Sequence, residues 1–529
     1  MNRLTHITLA QLDPTVGDLT GNAAKMVRWL KDLRGMETLV VFPELFLTGY
    51  PLEDLVLNAD FLKAVQRQID ALLSETQDCP PFLLPAPIVE QGRIYNAAHL
   101  CHQGKIIQTV RKVLLPDYGV FDESRVFEQG PQPLCIEIGE RRLGLMICED
   151  MWNPYVAQHL KADGAQHLIV INGSPFDETK REERLKQAKA RVAETRLPLT
   201  YLNMVGGQDE LVFDGQSFIL DGNGALRHLS PAFEQNVVTI GLDNFSGTSL
   251  APGMRREEIL FHAIVTGTRD YFRKNGASKA VLGLSGGIDS ALAAIVAVEA
   301  LGKENVHVLM LPSRFSSEGS LSDARTIAKA LEITHEEISI TPLMETMEAT
   351  RPDLSGLAHE NMQARLRGIL LMSHSNQHGA MVLTTGNKSE IAVGYSTLYG
   401  DMCGSFNPLK DLYKKDIYNL CEWYNTKRVV VPKAVFDKAP SAELRPDQRD
   451  EDSLMPYPLL DKILYGLIEE DKGVETLIEE GMDADSVKKV ARLLKAAEYK
   501  RRQSAPGPKV SRRAFGRDRR YPMTNRFSS

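Results

Sequence analysis

Long apolar runs are missing from this sequence. Its longest, residues 281–284 and 291–298, fall well short of the roughly 18 residues that a membrane span requires. Residues 1–12 also lack the basic start, the apolar stretch and the small-residue cleavage site of a secretory signal. We therefore expect a cytoplasmic protein without a membrane partner.

Cysteine is scarce and scattered. The cysteines form no CxxC pair and have no companion histidines at the spacing of a zinc site. This pattern argues against a disulfide framework and against a zinc site. The six cysteines are Cys79, Cys101, Cys135, Cys148, Cys403 and Cys421.

A strong positive charge is also missing. The formal net charge is −7, which gives no general attraction to phosphate backbones, so we expect no nucleic-acid partner. Residues 503–522 are an exception, because they are basic and rich in Pro and Gly, a composition that predicts a flexible segment. Their charges fit either a solvated terminus or contact with a small phosphorylated ligand. These charges are Lys509, Arg512, Arg513, Arg517, Arg519 and Arg520.

The sequence contains enough apolar residues for more than one core. Of its 529 residues, 43% are hydrophobic and 25% are charged, which is typical of a globular protein. Because one core rarely grows beyond about 250–300 residues, at least two domains are expected. Residues 243–252 are rich in Asn, Ser, Gly, Thr and Pro. We place the boundary there, which gives domains 1–245 and 246–529.

Both domains have the pattern of α/β folds. In the first, β-rich runs alternate with amphipathic stretches at residues 23–33 and 178–195 that can cover a sheet. In the second, a strand at 280–284, a helix at 290–301 and a strand at 307–311 form a βαβ unit. That unit predicts a parallel sheet, with ligands beyond the carboxyl ends of its strands. The predicted strands of the first domain are 7–12, 38–42, 82–85, 143–147, 167–171 and 200–205.

Three side chains of complementary chemistry follow three predicted strands. Cys148 attacks carbon only as a thiolate, and the ammonium of Lys112 would favour that form. Glu44 suits general acid and base work, since a carboxylate can take the thiol proton and pass it to a leaving amine. Lys112 and the backbone N–H after Cys148 would stabilise the oxyanion of a tetrahedral intermediate. Taken singly, each residue also fits a plain structural role as a helix cap, a surface charge or a small core residue.

The segments around these residues resemble the nitrilase (carbon–nitrogen hydrolase) superfamily. FPELFLTGY, RKVLLPDYGVFDE and GLMICEDMWNP occur in this order, and the resemblance covers about residues 1–240. It implies a four-layer α-β-β-α sandwich in which Glu44 is the base, Lys112 the stabiliser and Cys148 the nucleophile. Resemblance to glutaminase-type members implies that Glu123 orients Lys112.

The same resemblance implies a glutamine pocket near these motifs. Three residues are expected to contact the ligand, namely Tyr118, Ser174 and Lys180, with Arg181 as an alternative to Lys180. Phe121 and Glu149 are expected to line the pocket with them.

A glycine turn between a strand and a helix provides a second candidate site. Glycines let backbone N–H groups approach an anion, and the helix dipole adds partial positive charge, although a bare GG is also an ordinary turn. The GxxxxGK[ST] pattern of P-loop NTPases is absent. The block SGGIDS resembles the PP-loop of N-type ATP pyrophosphatases, which implies a Rossmann-like domain of the adenine nucleotide alpha hydrolase type that splits ATP into AMP and pyrophosphate. The residues of this turn are Gly283, Ser285, Gly286, Gly287, Asp289 and Ser290.

Further segments resemble the NAD synthetases within that group. They are TTGNKSEIAVGYSTLYGD, KDLYKKDIYNL and KAPSAEL, and the tail block FGRDRRYPMTNRF resembles the glutamine-dependent members. Asp289 with Glu390 is assigned to Mg²⁺, which completes its octahedron with phosphate oxygens. The remaining ATP contacts implied by the resemblance are Thr385, Lys414 and Ser441. The implied deamido-NAD contacts are Asn361, Arg365, Glu390 and Lys509. At Leu398, where ammonia-only relatives tend to carry lysine, this sequence departs from the pattern.

An amidase joined to a synthetase implies a ligase that takes ammonia from L-glutamine and uses ATP to amidate deamido-NAD through an acyl-adenylate. Because ammonia in neutral water is mostly ammonium, we expect an enclosed tunnel between the two sites. Because premature loss of glutamine would be wasteful, we also expect a glutaminase site that stays slow until the synthetase is loaded. The relatives assemble as homo-oligomers, so we expect a homo-oligomer here. Three alternatives remain. They are a PP-loop amidotransferase acting on another carboxylate or a nucleotide base, a plain amidase, and a glutamine-sensing scaffold.

Overall fold

A computed structural model describes residues 4–446, 448–452 and 454–527. The chain divides into two compact units, the first ending at Gly253 and the second beginning at Met254. The boundary predicted from the sequence, between residues 245 and 246, lies in the loop before this division. Within the described residues, no helix combines the length and the apolar character needed to span a bilayer.

The first unit alternates strands and helices along most of its length. Its strands are β1 (His6–Gln11), β2 (Thr38–Val41), β3 (Phe82–Glu90), β4 (Arg93–His102), β5 (Lys105–Arg111), β6 (Ile136–Ile138), β7 (Arg141–Ile147), β8 (His167–Asn172), β9 (Leu199–Asn203), β10 (Val205–Gln208), β11 (Leu211–Asp214), β12 (Phe218–Leu220), β13 (Leu226–Leu229) and β14 (Asn236–Gly241). Its α-helices are α1 (Leu19–Asp32), α2 (Ala59–Glu75), α3 (Pro154–Ala162) and α4 (Lys180–Thr195).

Two sheets form the centre of this unit. Among the described residues, one has the order β14-β1-β2-β3-β4-β5 and the other β13-β12-β9-β8-β7-β6. Strand residues alternate between the two faces of a sheet. Val41 and Ile169 accordingly pack in the core between the sheets, while Val40 packs with α1 and α2, and Val170 with α3 and α4. The predicted four-layer α-β-β-α sandwich is therefore confirmed.

The second unit opens with a parallel sheet and continues as helices. Its strands are β15 (Ala280–Gly283), β16 (Val306–Met310), β17 (Thr334–Glu337) and β18 (Met381–Val382), in the order β17-β16-β15-β18 among the described residues. Its helices are α5 (Arg256–Lys274), α6 (Ile288–Leu301), α7 (Glu318–Leu331), α8 (Thr341–Thr350), α9 (Gly356–His378), α10 (Lys388–Val393), α11 (Lys414–Asn425), α12 (Lys433–Asp437), α13 (Tyr457–Ile468), α14 (Val474–Glu479), α15 (Ala484–Ala496) and α16 (Glu498–Arg501).

Helices cover both faces of this sheet, as a parallel sheet requires. Val281 and Leu309 pack with Met344 of α8 and Met362 of α9 on one face, and α6 packs on the other side, in contact with β15 and β16. Every pair of neighbouring strands runs parallel. The expected Rossmann-like parallel-sheet domain is confirmed.

Part of the basic tail is anchored. Residues 509–511 lie buried, so the flexibility predicted from composition is wrong for these residues. The carboxylate of Asp411 accepts hydrogen bonds from the backbone N–H groups of Val510, at 2.8 Å, and Ser511, at 2.7 Å. The buried ammonium of Lys388 pairs with Asp411 at 2.8 Å and donates to the hydroxyl of Ser511 at 2.6 Å and the carbonyl of Arg513 at 2.8 Å. Composition predicted flexibility because it does not record these buried partners.

Candidate active sites

The three reactive residues of the first unit stand at strand ends. Lys112 follows β5 directly, Cys148 follows β7 directly, and Glu44 lies just beyond β2. The Nζ of Lys112 donates to Oε1 of Glu44 at 2.8 Å and to Oε1 of Glu123 at 2.9 Å. The Tyr50 hydroxyl donates to the same Glu123 oxygen at 2.9 Å. All of these side chains are buried, so the lysine is held between two carboxylates in a region of low dielectric, where such pairs need partners.

The Glu44 carboxylate is oriented by donors that the sequence argument missed. Asn96 Nδ2 donates to Oε1 at 2.8 Å, and the backbone N–H of Gly173 donates to Oε2 at 2.9 Å. Asn96 lies on β4, beside Lys112, whose N–H donates to the Asn96 carbonyl at 2.8 Å. These bonds fix the acid–base candidate and the lysine in one frame.

Cys148 is held in a strained backbone geometry. Its φ of 49° lies in the left-handed region, which non-glycine residues enter rarely and mostly at functional sites. Burial and the charge of Glu44 raise the pKa of the Cys148 thiol well above its usual value, outweighing the opposite effect of Lys112. Lys112 therefore acts in the expected direction, but burial and the carboxylates prevail, and the pKa of the thiol is raised in the free protein.

Asp150 ties the two loops of this site together. Its Oδ1 accepts from the N–H groups of Val113, at 3.0 Å, and Leu114, at 2.8 Å, directly after Lys112. Its Oδ2 accepts from the N–H of Ile147 at 2.9 Å, directly before Cys148. Burial raises the pKa of Asp150 to about 7, and the three backbone donors oppose that rise. Asp150 thus sets the distance between the lysine and cysteine loops.

The residues expected to bind glutamine form two groups. Tyr118 donates from its hydroxyl to Oε2 of Glu149 at 2.8 Å, and the Phe121 ring packs edge-on against Tyr118 with centroids 5.6 Å apart. The ammonium of Lys180 stacks over the Trp152 ring, 4.5 Å from its centroid, and its charge lowers the pKa of Glu149, which burial raises. Opposite charges therefore face this region.

Ser174 is engaged by a buried arginine that the sequence argument missed. Arg184 Nε donates to the Ser174 hydroxyl at 3.1 Å, and Nη2 donates to its carbonyl at 2.8 Å. Arg184 also pairs with Asp214 at 2.7 Å. The serine is thus rigidly placed. Arg181, the alternative to Lys180, is exposed.

The second unit gathers the residues of the glycine turn into one cavity of about 320 Å³, which we call the SGGIDS cavity. It lies beyond the carboxyl end of β15, as the parallel sheet predicted. The predicted residues that line it are Gly283, Ser285, Gly286, Gly287, Asp289, Ser290, Thr385, Glu390, Lys414 and Ser441.

The turn requires glycine at one position in particular. Gly286 has a φ of +81°, and a Cβ built there would lie 2.0 Å from the carbonyl oxygen of Ser320. Backbone at that distance cannot give way as a flexible side chain can. The backbone of the turn is therefore available to a ligand only while residue 286 has no side chain.

A cluster of buried and half-buried carboxylates surrounds one lysine in this cavity. Lys414 pairs with Oδ2 of Asp289 at 2.5 Å and with Oε1 of Glu390 at 3.5 Å. Burial and the neighbouring charge of Asp289 raise the pKa of Glu390 to about 8, against the effect of Lys414. Asp450 also lines the cavity, and burial raises its pKa. Since carboxylates outnumber the lysine here, the oxygen ligands fit a hard divalent cation.

Two cationic side chains of the SGGIDS cavity were missed from the sequence. Arg367 lines it, and burial lowers the pKa of its guanidinium to about 10. Lys438 also lines it and pairs with Glu443 at 2.9 Å. In the sequence, Arg367 and Lys438 look like the ordinary Lys and Arg residues of helix and loop surfaces, so only the fold identifies them as cavity residues.

The other residues assigned to deamido-NAD lie outside the lining of this cavity. Asn361 accepts from the Thr397 hydroxyl at 2.8 Å, and Arg365 donates to the carbonyl of Leu398 at 3.2 Å.

Lys509 pairs with Asp518 at 2.8 Å and donates to the carbonyls of Ser511, at 2.8 Å, and Arg512, at 2.9 Å. An ammonium has three donors, so Lys509 has none to spare in this arrangement.

Family models match each half of the chain. The carbon–nitrogen hydrolase model matches residues 6–248, and the NAD synthase model matches residues 260–504. Relatives match over the whole length. The glutamine-dependent NAD(+) synthetase of Rhodobacter capsulatus is 46% identical over 98% of both chains. That of Thermotoga maritima is 42% identical over 100% of this chain and 99% of the relative. The chain belongs to the glutamine-dependent NAD(+) synthetase family.

Solved structures of the family have the same two-unit composition in one chain. The Acinetobacter baumannii glutamine-dependent NAD+ synthetase, in complex with ADP, is 37% identical, covers 98% of each chain and has a TM-score of 0.80. The Cytophaga hutchinsonii glutamine-dependent NAD(+) synthetase has a TM-score of 0.86 over 98% of each chain at 22% identity, and that likeness supports the fold alone. The family resemblance predicted from the motifs is confirmed.

Proposed function

We propose that the chain hydrolyses L-glutamine in its first unit and uses the ammonia, with ATP, to convert deamido-NAD into NAD in its second. The observation that carries this proposal is the presence of both sites in one chain. Glu44 and Lys112 are hydrogen-bonded beside Cys148 in one unit, and the SGGIDS cavity occupies the other. A plain amidase would have no use for the second site.

In the first unit, Glu44 takes the proton of the Cys148 thiol as its sulfur attacks the glutamine amide carbon. Lys112 and the backbone N–H after Cys148 stabilise the oxyanion that forms. Glu44 then gives the proton to the leaving nitrogen, so that ammonia departs and a glutamyl thioester remains. Glu44 next takes a proton from water, whose oxygen attacks the thioester, and glutamate and the free thiol are restored. The high pKa of the thiol makes the base necessary at each turn.

The polar residues near this site suit a zwitterionic ligand. Glu149 and Lys180 carry opposite charges and interact electrostatically, and Tyr118 is hydrogen-bonded to Glu149. We assign Glu149 and Lys180 to the α-ammonium and α-carboxylate of glutamine. Tyr118, Phe121 and Ser174 shape the pocket around them.

In the second unit, the backbone of the glycine turn and the cations of the SGGIDS cavity bind the triphosphate of ATP. The nicotinate carboxylate of deamido-NAD attacks the α-phosphorus, pyrophosphate leaves, and an acyl-adenylate forms. Ammonia then attacks the acyl carbon and AMP leaves, which yields the amide of NAD. The family relative from Acinetobacter baumannii, in complex with ADP, supports an adenine nucleotide as the ligand.

Asp289 and Glu390 would hold Mg²⁺, with Asp450 beside them. When bound, Mg²⁺ neutralises phosphate charge. In its absence Lys414 supplies the local counter-charge, and it would move towards a phosphate oxygen when the carboxylates take the metal.

The experiment that tests this function supplies deamido-NAD, ATP and Mg²⁺ with either glutamine or ammonium, and measures NAD and AMP. We expect Cys148→Ala to lose the glutamine-driven product and to keep the ammonium-driven one. Cys79→Ala, a buried cysteine of the same unit outside the site, is the matched control and should keep both. If no AMP forms with deamido-NAD but AMP forms with another carboxylate or a nucleotide base, the proposed substrate is wrong.

Several further expectations stay predictions. They are the ammonia tunnel, the coupling of glutaminase turnover to a loaded synthetase, the homo-oligomer, the cytoplasmic location and the deamido-NAD contacts of Asn361, Arg365 and Lys509.

A further inference from the structure

Histidines from separate elements meet at the edge of the parallel sheet in the second unit. His307 lies on β16, Glu336 lies on the neighbouring edge strand β17, and His374 lies in the last turns of α9. In the strand pairing, His307 is opposite Thr334. Thr334 and Glu336 are two residues apart, so Glu336 and His307 point to the same face. That face is the one covered by α9, because Leu309, two residues after His307, packs with Met362 of α9.

The side chains of this group, which we call the histidine cluster, converge closely. Ligand atoms of His307, Glu336 and His374 all lie within 4.8 Å of one another. The rings of His307 and His374 are stacked with centroids 4.4 Å apart, and the ring of His378 lies 4.3 Å beyond His374. None of these residues lines the SGGIDS cavity, so the cluster is separate from the proposed ATP site.

One buried atom of the cluster faces the Glu336 carboxylate. Nε2 of His307 makes no hydrogen bond of good geometry among the described residues, but it lies 3.3 Å from Oε1 of Glu336, within ion-pair distance. Two atoms that each bind a tetrahedral Zn²⁺ at about 2.1 Å are separated by about 3.4 Å. The spacing of this nitrogen and oxygen therefore suits two ligands of one metal ion.

The position of the cluster in the fold favours a metal cation. His374 and His378 lie at the carboxyl end of α9, where the helix dipole attracts positive charge.

We propose that His307, His374 and Glu336 form a binding site for one divalent transition-metal ion, with Zn²⁺ as the best match, once one of the two stacked imidazole rings turns to direct its in-plane lone pair at the ion. Imidazole nitrogen and a carboxylate oxygen are common zinc ligands, whereas Mg²⁺ and Ca²⁺ prefer oxygen alone. His378, one helical turn after His374, is placed to approach the same ion. Bound metal would fasten the edge strand β17 to the end of α9, the helix that also carries Arg367 of the SGGIDS cavity. The sequence argument against a zinc site uses the spacing of cysteines and histidines along the chain, whereas the ligands of this cluster come from three separate elements.

The test is a titration of Zn²⁺ into the full-length chain without an affinity tag, followed by calorimetry. Cys148→Ala serves as the background, so that the reactive thiol does not compete, and excess Mg²⁺ occupies the carboxylates of the SGGIDS cavity. The variants are His374→Gln and Glu336→Gln. Glu336 is 52% exposed in its side chain, so its substitution leaves folding intact. His335→Gln is the matched control, because the side chain of His335 points to the opposite face of β17.

We expect one Zn²⁺ per chain in the background protein and in His335→Gln. In His374→Gln and Glu336→Gln we expect at least tenfold weaker binding. Loss of a residue that contacts the metal should cost no less than the 10–100-fold in metal affinity that is lost with residues that only support the ligands. The midpoint of thermal unfolding should rise with Zn²⁺ in the first two proteins and not in the others. The visible absorption of Co²⁺ bound in place of Zn²⁺ should show nitrogen and oxygen ligands without thiolate. Absence of a Zn²⁺ site in the background protein, or equal binding after His374→Gln, would overturn the proposal.

Discussion

Replacing Glu44 by glutamine should make Cys148 more reactive towards alkylation while it abolishes glutamine hydrolysis. Glu44 is buried and its charge raises the pKa of the Cys148 thiol, while Lys112 lowers it. Glutamine keeps the shape of the side chain and removes the charge. Among the residues that the structure describes, the Lys112 ammonium then keeps only the Glu123 carboxylate as a charged partner within hydrogen-bonding distance, so it stabilises the thiolate more strongly.

The size of the effect follows from Coulomb's law. A unit charge about 5 Å away, at an effective dielectric constant of about 20, changes the free energy of the thiolate by about 3 kcal/mol. That corresponds to a fall of about 2 in the pKa of Cys148. Below the pKa, the thiolate fraction rises about 100-fold. Because nucleophilicity falls as the pKa falls, with a Brønsted coefficient of about 0.4–0.5, the net gain in alkylation rate is about tenfold.

The assay measures the rate at which iodoacetamide alkylates Cys148, detected by the mass of the Cys148 peptide. The rate is measured between about pH 6 and pH 10, a range that brackets the ordinary pKa of a thiol. In the wild type, the thiol stays protonated through neutral pH and the rate climbs only on the alkaline side, since the pKa is raised. In Glu44→Gln, the climb moves to lower pH. Glutaminase kcat should fall by about 10²–10⁴, since the general base is lost.

Two further variants complete this comparison. Glu123→Gln removes a second carboxylate that raises the thiol pKa but keeps the base, so it should shift the alkylation profile in the same direction by less. Asp60→Asn, an exposed carboxylate on α2, should leave the profile unchanged. If alkylation of Glu44→Gln were slower than that of the wild type at every pH, the conclusion that Glu44 opposes the thiolate would be refuted.

Two other predictions concern backbone geometry. Gly286→Ala should reduce AMP formation at least tenfold and spare glutaminase turnover, because the new Cβ would meet the Ser320 carbonyl at 2.0 Å; normal AMP formation would show that the turn adjusts freely. Asp150→Asn turns an amide NH2 group towards backbone N–H groups that now donate to Asp150, so a donor faces a donor and a hydrogen bond to a charged group, worth about 1.5–3 kcal/mol, is lost. We expect its glutamine-driven kcat/KM to fall about 10–100-fold while ammonium-driven NAD formation persists, and an equal fall in both would indicate general unfolding.

The positions of the reactive residues were predictable because strands are recognised from the local sequence pattern. Val40 and Val41 mark a strand buried on both faces. Residues directly after a strand, such as Cys148 after β7 and Lys112 after the largely exposed β5, lie at the sheet edge where that strand ends. The glycine turn was predictable for the same reason. Asn96 and Asp150 were not, since their roles depend on contacts between segments far apart in the chain, which carry no local signal.

The electrostatics of the sites could not be predicted from residue types alone. The charge of Lys112 lowers the thiol pKa, as the sequence predicts, but burial and the neighbouring carboxylates outweigh that effect. The tail failed for a related reason. Its composition is that of a flexible segment, but the carboxylate of Asp411 accepts hydrogen bonds from two of its backbone N–H groups. One buried partner therefore orders the segment, although the average composition of its twenty residues predicts flexibility.

The burial of residues 509–511 has a consequence for how the second unit is made. The ribosome delivers Val510 99 residues after Asp411, and domains fold while they are being synthesised. Until then, the Lys388 ammonium and the Asp411 carboxylate face each other without the hydroxyl and N–H groups of Ser511. The first unit can mature before residues 509–511 are made, whereas the second can complete this part of its interior only afterwards.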